Sequence, residues 1–340
     1  VRIEETGSMW GVVCGGEKVA ARSDLEPPRP LADEVVLDVQ LAGICDTDLQ
    51  LARGYMGFRG ILGHEFVGRT ADGRRVTAEI NHACGACETC VGGRSNHCPN
   101  RTVLGILNHD GAMAERVAVR RSNLHEIPDE LTDREAVFIE PLAAALRVVE
   151  QVSIDSGMRA AVLGDGKLGL LCAWVLREAG AVVTWVGKHP EKLALAGEGI
   201  AARLVGETGG AREFDLVVDA TGSVTGLPTA SRLVRPMGTI VLKTTVAASY
   251  EVDLAPLVID EVRVLGSRCG PFAKAIETLA ARRFDVTRLI EREFPLAEAE
   301  EAFRAAGRPG ARKVLLRVGP GYAGQMSMSR AVYASFMMKR

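Results

Sequence analysis

The feature that most constrains the fold is a change of texture after Gly157. From there short apolar segments of strand type alternate with segments of helix type. Residues 160–163 form the first such strand and lead directly into Gly164-Asp165-Gly166-Lys167-Leu168-Gly169, after which a helical run reaches residue 179. Strand-type segments follow at 182–186, 216–220, 239–242 and 262–266, with a helix expected over 191–196. Alternation of this kind builds a parallel sheet with crossover helices. The glycine spacing carries weight because a strand precedes it and a helix follows. Gly164 permits the tight turn, Gly166 lets a pyrophosphate approach the backbone, and Gly169 lets helix and strand pack closely. The helix start then offers unpaired amides and a positive dipole to phosphate.

Ahead of this region, from Trp10 to Leu146, the pattern is one of short β-rich pieces. Residues 35–39 alternate apolar and polar, as do parts of 76–80 and 115–119. A helical pattern over 136–151 joins the two textures, and a helix near 297–306 and a strand at 313–318 close the chain. With 340 residues, two domains are expected. We place a β-rich domain at 1–146 and 290–340 and a doubly wound α/β domain at 147–289. The Gly319-Pro320-Gly321-Tyr322 run reads as a break, and the tail to Arg340 as a disordered end.

A net charge of -2 offers no general attraction to nucleic acid or an anionic membrane. The longest apolar run, 168–176, is too short to span a bilayer. Residues 1–8 are charged and polar where a secretory leader would be apolar, so a cytoplasmic location is expected. Four of the eight cysteines, Cys84, Cys87, Cys90 and Cys98, lie within fifteen residues. In a large cytosolic chain such C-x-x-C spacing favours metal thiolates over disulfides. Four thiolates suit a closed structural zinc site, with an iron–sulfur centre as the other possibility.

Three further places carry ligand-type residues: Cys45 in Gly43-Ile44-Cys45-Asp46-Thr47-Asp48, His64 and Glu65 in Gly63-His64-Glu65-Phe66-Val67-Gly68, and Glu140 before Pro141. Singly, each has an ordinary explanation: a buried thiol, a loop histidine, a helix start. Together they describe a Cys/His/Glu zinc site with one coordination position open, as a catalytic zinc requires.

The Gly63-His64-Glu65-x-x-Gly68 segment, the four-cysteine lobe and the later glycine turn together resemble the zinc-dependent medium-chain dehydrogenase/reductase family, over residues 10–318. The resemblance implies a GroES-like β-rich catalytic domain beside a Rossmann domain. It also implies two zinc ions per chain and hydride transfer between a nicotinamide dinucleotide and a small alcohol or carbonyl substrate. It assigns Cys45 and His64 to the catalytic zinc, with Glu65 approaching or ligating it, and the lobe cysteines to a structural zinc. Glu140 beside Pro141-Leu142 matches the third ligand of the polyol, sugar and threonine dehydrogenase branch, which points to a polar secondary alcohol. Asp48 is expected to orient His64, and Thr47 to pass the substrate proton. Many relatives end that relay on a histidine two or three residues on; here stand Leu49 and Gln50, and glutamine does not titrate. Tyr55, Met56 and Phe58 are candidates either for the cleft or for the core.

At the end of the second strand an acidic residue normally binds the adenine ribose. Gly187 stands there instead, followed by Lys188 and His189, with Lys192 at a position that contacts the ribose in relatives. Loss of the carboxylate and gain of cations favours NADP over NAD. A homodimer or homotetramer is expected, joined through the strand at 262–266. The competing reading is a non-catalytic zinc module or redox sensor on the same fold.

Overall fold

The computed structural model describes residues 7–15, 18–208, 212–246 and 249–319. Two compact units account for them: Val1–Ile127 with Arg292–Gly307 and Val314–Arg340, and Pro128–Glu291 with Arg308–Lys313. The break at 319–322 and the tail lie outside the described residues, Gly319 excepted.

The first unit opens with strands β1 (Met9–Gly15), β2 (Val19–Leu25) and β3 (Glu34–Gly43). β3 alternates as a half-buried strand should, with Leu37, Val39 and Leu41 inward and Asp38 outward. A short helix, α1 (Asp46–Leu51), leaves its end. Then come β4 (Arg59–Ile61), β5 (Glu65–Arg69), β6 (Arg75–Ala78) and β7 (Asn81–His82). A one-turn helix, α2 (Glu88–Val91), lies in the cysteine lobe, and β8 (Thr102–Val103), β9 (Arg116–Arg120) and β10 (Leu124–Glu126) follow.

The second unit begins with α3 (Asp133–Ala136), started by a reciprocal Thr132–Glu135 capping box, and α4 (Ile139–Gln151). α4 accommodates Pro141 because it falls in the first turn, where a missing N–H breaks no intrahelical bond. α4 packs with the second unit, so the division between units falls at Ile127/Pro128. Here the alternation is realised: β11 (Arg159–Leu163), α5 (Lys167–Glu178), β12 (Val182–Gly187), α6 (Pro190–Leu193), β13 (Ile200–Leu204), β14 (Phe214–Asp219), α7 (Gly226–Leu233), β15 (Val234–Leu242), α8 (Ala255–Ile259), β16 (Arg263–Gly266) and α9 (Phe272–Ala280). The strands form one parallel sheet in the order β13-β12-β11-β14-β15-β16. β11 reads as an almost continuous apolar run because both faces of such a sheet are covered.

Two local outcomes depart from expectation. The helix expected over 191–196 is a single turn, started by Pro190 and followed by Gly197 and Gly199, both at positive φ. β13 has the alanine-rich sequence of a helix former but lies on the sheet edge, where pairing with β12 decides its conformation.

The chain then returns to the first unit with β17 (Ile290–Pro295), α10 (Ala299–Ala306) and β18 (Lys313–Arg317). β18 pairs antiparallel with β3, completing a seven-stranded sheet ordered β10-β6-β5-β3-β18-β17 with β9 also on β3. Among the described residues no helix is long and apolar enough to cross a membrane.

Candidate active site

The cysteine lobe is built locally. One-turn helix α2 and the turn at 95–97 fold Cys84, Cys87, Cys90 and Cys98 onto each other, with Sγ–Sγ separations of 3.5 Å (Cys87–Cys90 and Cys84–Cys98), 3.8 Å (Cys87–Cys98) and 4.0 Å (Cys84–Cys90). Four sulfurs about 2.3 Å from a tetrahedral zinc stand about 3.8 Å apart, so the set fits such an ion as it stands. Backbone N–H groups of Ala86 and Cys87 pull the Cys84 thiol down to about 6, toward the thiolate a metal needs. Among the described residues no cysteine is in a disulfide.

The second cluster is assembled across the sheet. β3 and β5 run antiparallel with Gly43 opposite Glu65, so the chain leaving β3 at Cys45 meets the chain entering β5 at His64. One ligand atom each from Cys45, His64 and Glu65 lies within 4.8 Å of the others. His64 and Glu65 are buried. Asp48, fully buried on α1, accepts a 2.8 Å bond from the Cys45 N–H through Oδ2 and sets Oδ1 3.5 Å from Nδ1 of His64. Neither Oδ1 nor Nδ1 has a hydrogen-bond partner, an arrangement that suits an imidazole drawn onto a cation on its other side. Burial opposes the charged imidazole, but Asp48 and Cys45 outweigh it and hold the His64 pKa well above its ordinary value. Thr47 lies half-buried on α1, as do Leu49 and Gln50. Glu140 sits in the first turn of α4, in the second unit, and is not part of the Cys45–His64–Glu65 cluster. Of the aromatic stretch, Phe58 is buried, Tyr55 half-buried and Met56 exposed at a positive φ.

In the second unit the glycine turn takes its expected place. Gly166 caps α5, Lys167 and Leu168 begin it, and a Cβ on Gly169 would stand 1.9 Å from the Gly164 carbonyl. That carbonyl accepts a 2.9 Å bond from the Trp185 indole on β12, which anchors the turn to the sheet. Beside it lies a residue that sequence reasoning passed over. The Asp165 carboxylate accepts from the Lys188 N–H (2.5 Å), the His189 N–H (2.8 Å) and His189 Nδ1 (3.0 Å), and stands 3.7 Å from Lys192. Partial burial opposes its charge, yet these donors and the Lys192 charge hold its pKa below the usual carboxylate value. A Cβ on Gly187 would come within 2.6 Å of that carboxylate oxygen, so Gly187 is glycine because Asp165 occupies the space. The signal was an acid inside the glycine motif opposite a strand end lacking one. Asp219 was also missed: buried at the end of β14, it accepts from Thr221 and Thr244 and ties together the loops after β14 and β15.

A β-rich unit with a thiolate lobe and a Cys/His/Glu cluster, and a second unit whose parallel sheet carries a glycine turn, are features shared with zinc-containing, dinucleotide-dependent oxidoreductases. Residues 31–129 match the alcohol dehydrogenase GroES-like domain. The chain is 29% identical over 329 residues to D-arabitol-phosphate dehydrogenase of Enterococcus avium, covering 87% of this chain and 93% of that protein. It is 28% identical to sorbitol dehydrogenase of Halalkalibacterium halodurans, covering 85% and 93%. A Sinorhizobium meliloti chain solved with NADP, assigned as a zinc-binding dehydrogenase, superposes with a TM-score of 0.82 at 29% identity, over 92% of this chain and 100% of that one. Over most of its length the chain is similar to zinc-dependent medium-chain dehydrogenases, and residues 31–129 carry their GroES-like domain.

Proposed function

We propose that this chain interconverts a polyol, sugar or related polar secondary alcohol and its carbonyl, using one catalytic zinc, one structural zinc and a nicotinamide dinucleotide. The observation that carries the reading is the convergence of Cys45, His64 and Glu65 with Asp48 behind the imidazole. Sorbitol and arabitol-phosphate dehydrogenases among the relatives support the substrate class, as does the sequence likeness of Glu140-Pro141-Leu142 to the polyol branch.

Cys45, His64 and Glu65 would hold the catalytic zinc, and Cys84, Cys87, Cys90 and Cys98 the structural one. When bound, zinc supplies Lewis acidity at a substrate oxygen, and the nicotinamide carries the hydride chemistry. The chain's own part is positioning and proton movement. Asp48 fixes the orientation of His64, and the Thr47 hydroxyl receives the substrate proton. With Leu49 and Gln50 unable to titrate, that proton passes on to Glu65 or solvent.

For the dinucleotide we favour NADP. Lys188, His189 and Lys192 supply cationic character, while Asp165 places an anion among them that a 2′-phosphate must tolerate. Self-association through the β16 edge is supported by its exposed Val264 and by Val258 and Ile259 on α8, which are 74% and 78% exposed.

The deciding experiment titrates the purified chain with NADPH and NADH by nucleotide fluorescence, assays zinc in the same sample, and then screens sugars and polyols. Two zincs, nucleotide binding and turnover of polyols are expected. One zinc with neither nucleotide bound would establish the non-catalytic reading, and far better turnover of simple hydrophobic alcohols would overturn the substrate class.

A further inference from the structure

A third set of ligand-type side chains lies in the first unit and takes no part in either of the zinc sites proposed above. Glu34 at the start of β3, His82 on β7 and His109 in the loop before β9 each offer one ligand atom within 4.8 Å of the others. Glu34 Oε1 stands 3.9 Å from His82 Nδ1 and 3.7 Å from His109 Nε2. Those separations are too long for hydrogen bonds. They are close to the about 3.4 Å kept by two ligands that lie about 2.1 Å from one tetrahedral ion.

The remaining atoms are arranged as ligands would be. Glu34 Oε2 accepts a 2.9 Å bond from the Leu31 N–H, which aims Oε1 at the imidazoles. His109 Nδ1 lies 2.6 Å from the Asp110 carbonyl oxygen and donates to it, leaving Nε2 with its lone pair toward Glu34. The loop carrying His109 is pinned, since Asp110 Oδ1 accepts from the Ile61 N–H and the Gly111 N–H donates to the Ile61 carbonyl. His82 is 2% exposed, yet neither ring nitrogen has a hydrogen-bond partner. Buried imidazoles without partners are costly, and simple ring packing against His109, with centroids 4.2 Å apart, does not satisfy them. The Arg120 guanidinium, which acts on His82, is paired with Asp33 at 3.1 Å. A cavity of about 210 Å³, lined among others by Glu34, His109, Asp110 and Arg116, gives access.

We propose that Glu34, His82 and His109 form a separate cation site that takes zinc or a similar divalent transition ion, one carboxylate and two imidazoles being its ligands. The ion ties the start of β3 and the loop before β9 to the base of the cysteine lobe, two residues ahead of Cys84. Its role is to clip these segments together, and dehydrogenase chemistry does not pass through it.

The test compares the full chain with His82→Ala and His109→Asn after saturation with Zn²⁺ and removal of excess, by metal analysis, with cobalt substitution as a second readout. Each variant is expected to hold one ion fewer than wild type and to keep its turnover. The missing cobalt band should lack thiolate charge-transfer character, which separates this site from both cysteine-containing ones. Excess Zn²⁺ should raise the melting temperature of wild type and leave that of His109→Asn unchanged. Equal metal content in wild type and variants overturns the proposal, as does loss of a thiolate-type band; an ordered water in the pocket would give the first result. If His82→Ala does not fold, His109→Asn, on a partly exposed loop, decides the question alone.

Discussion

The cysteine lobe and the Cys45–His64–Glu65 cluster each gather soft or borderline ligands, but they are made in opposite ways. Fifteen consecutive residues make the first, and most of its thiols remain partly exposed. The second needs the register of β3 on β5 and the burial of Asp48. A locally closed loop can be specified by spacing alone, because each short turn brings the next sulfur within reach. A cluster assembled through a sheet depends on the core beneath it. Its geometry is therefore pre-organised, as chemistry requires, whereas a metal in the lobe would serve mainly to hold the lobe itself.

The largest expected difference lies in activity. His64→Ala should lower turnover by at least about a thousandfold, the scale of losing a Lewis-acid site worth several kcal/mol. It should remove one zinc and leave the melting temperature within a few degrees of wild type. Cys98→Ser should do the reverse: its thiol is fully buried at the centre of the lobe, so loss of that zinc should lower stability by about 2–4 kcal/mol while Cys45 and His64 remain in place. Kinetics, metal analysis and thermal melts on both variants check this. Equal effects on activity and stability in the two would collapse the contrast.

The same contrast governs what was legible in the sequence. The lobe and the glycine turn were readable because both are local, and the alternation after Gly157 named the parallel sheet. Cys45 and His64 could be paired only by likeness to a family, since nothing in their spacing states that Gly43 lies opposite Glu65. Asp165 was hidden for a related reason. The acid is usual at the strand end, where Gly187 stands, but here the carboxylate reaches that place from the preceding loop. His82 and His109 escaped notice altogether, being twenty-seven residues apart and joined only by tertiary structure. β13 is no part of the expected series, because its alanine-rich sequence has little strand character and pairing on the sheet edge decides its conformation.

Asp48 sharpens the comparison within the assembled cluster. Asp48→Asn keeps the hydrogen bond from the Cys45 N–H but removes the charge facing His64. Zinc affinity at that site should fall about 10–100-fold, the usual effect of losing such a supporting carboxylate, with the lobe zinc retained; chelator competition measures it. A smaller effect belongs to Asp165. Asp165→Asn can still accept from Lys188 and His189 while losing its charge, so the NADP-to-NAD ratio of kcat/KM should rise about tenfold, near 1.4 kcal/mol. An unchanged ratio would mean that the carboxylate lies outside the range of the 2′-phosphate.

The smallest effect separates local from tertiary contributions at one residue. Glu135 closes the capping box of α3, accepting from the Thr132 N–H (2.8 Å) and hydroxyl (2.7 Å), and also accepts a 2.6 Å bond from Arg282. Burial disfavours its charge, but the Thr132 donors and Arg282 outweigh burial and hold its pKa below the ordinary 4.5. A depressed carboxylate contributes stability that is present above the unfolded pKa and is lost as pH falls through the folded one. Glu135→Gln can keep the cap and removes only the charge. Arg282 is more than half exposed, so solvent screening limits the pair to about 0.5 kcal/mol. Denaturant melts should therefore show wild type slightly more stable at pH 7 and the difference shrinking as pH falls below 4.5 and through the lowered folded pKa. A deficit that persisted into acid would assign the contribution to the local cap and not to the distant arginine.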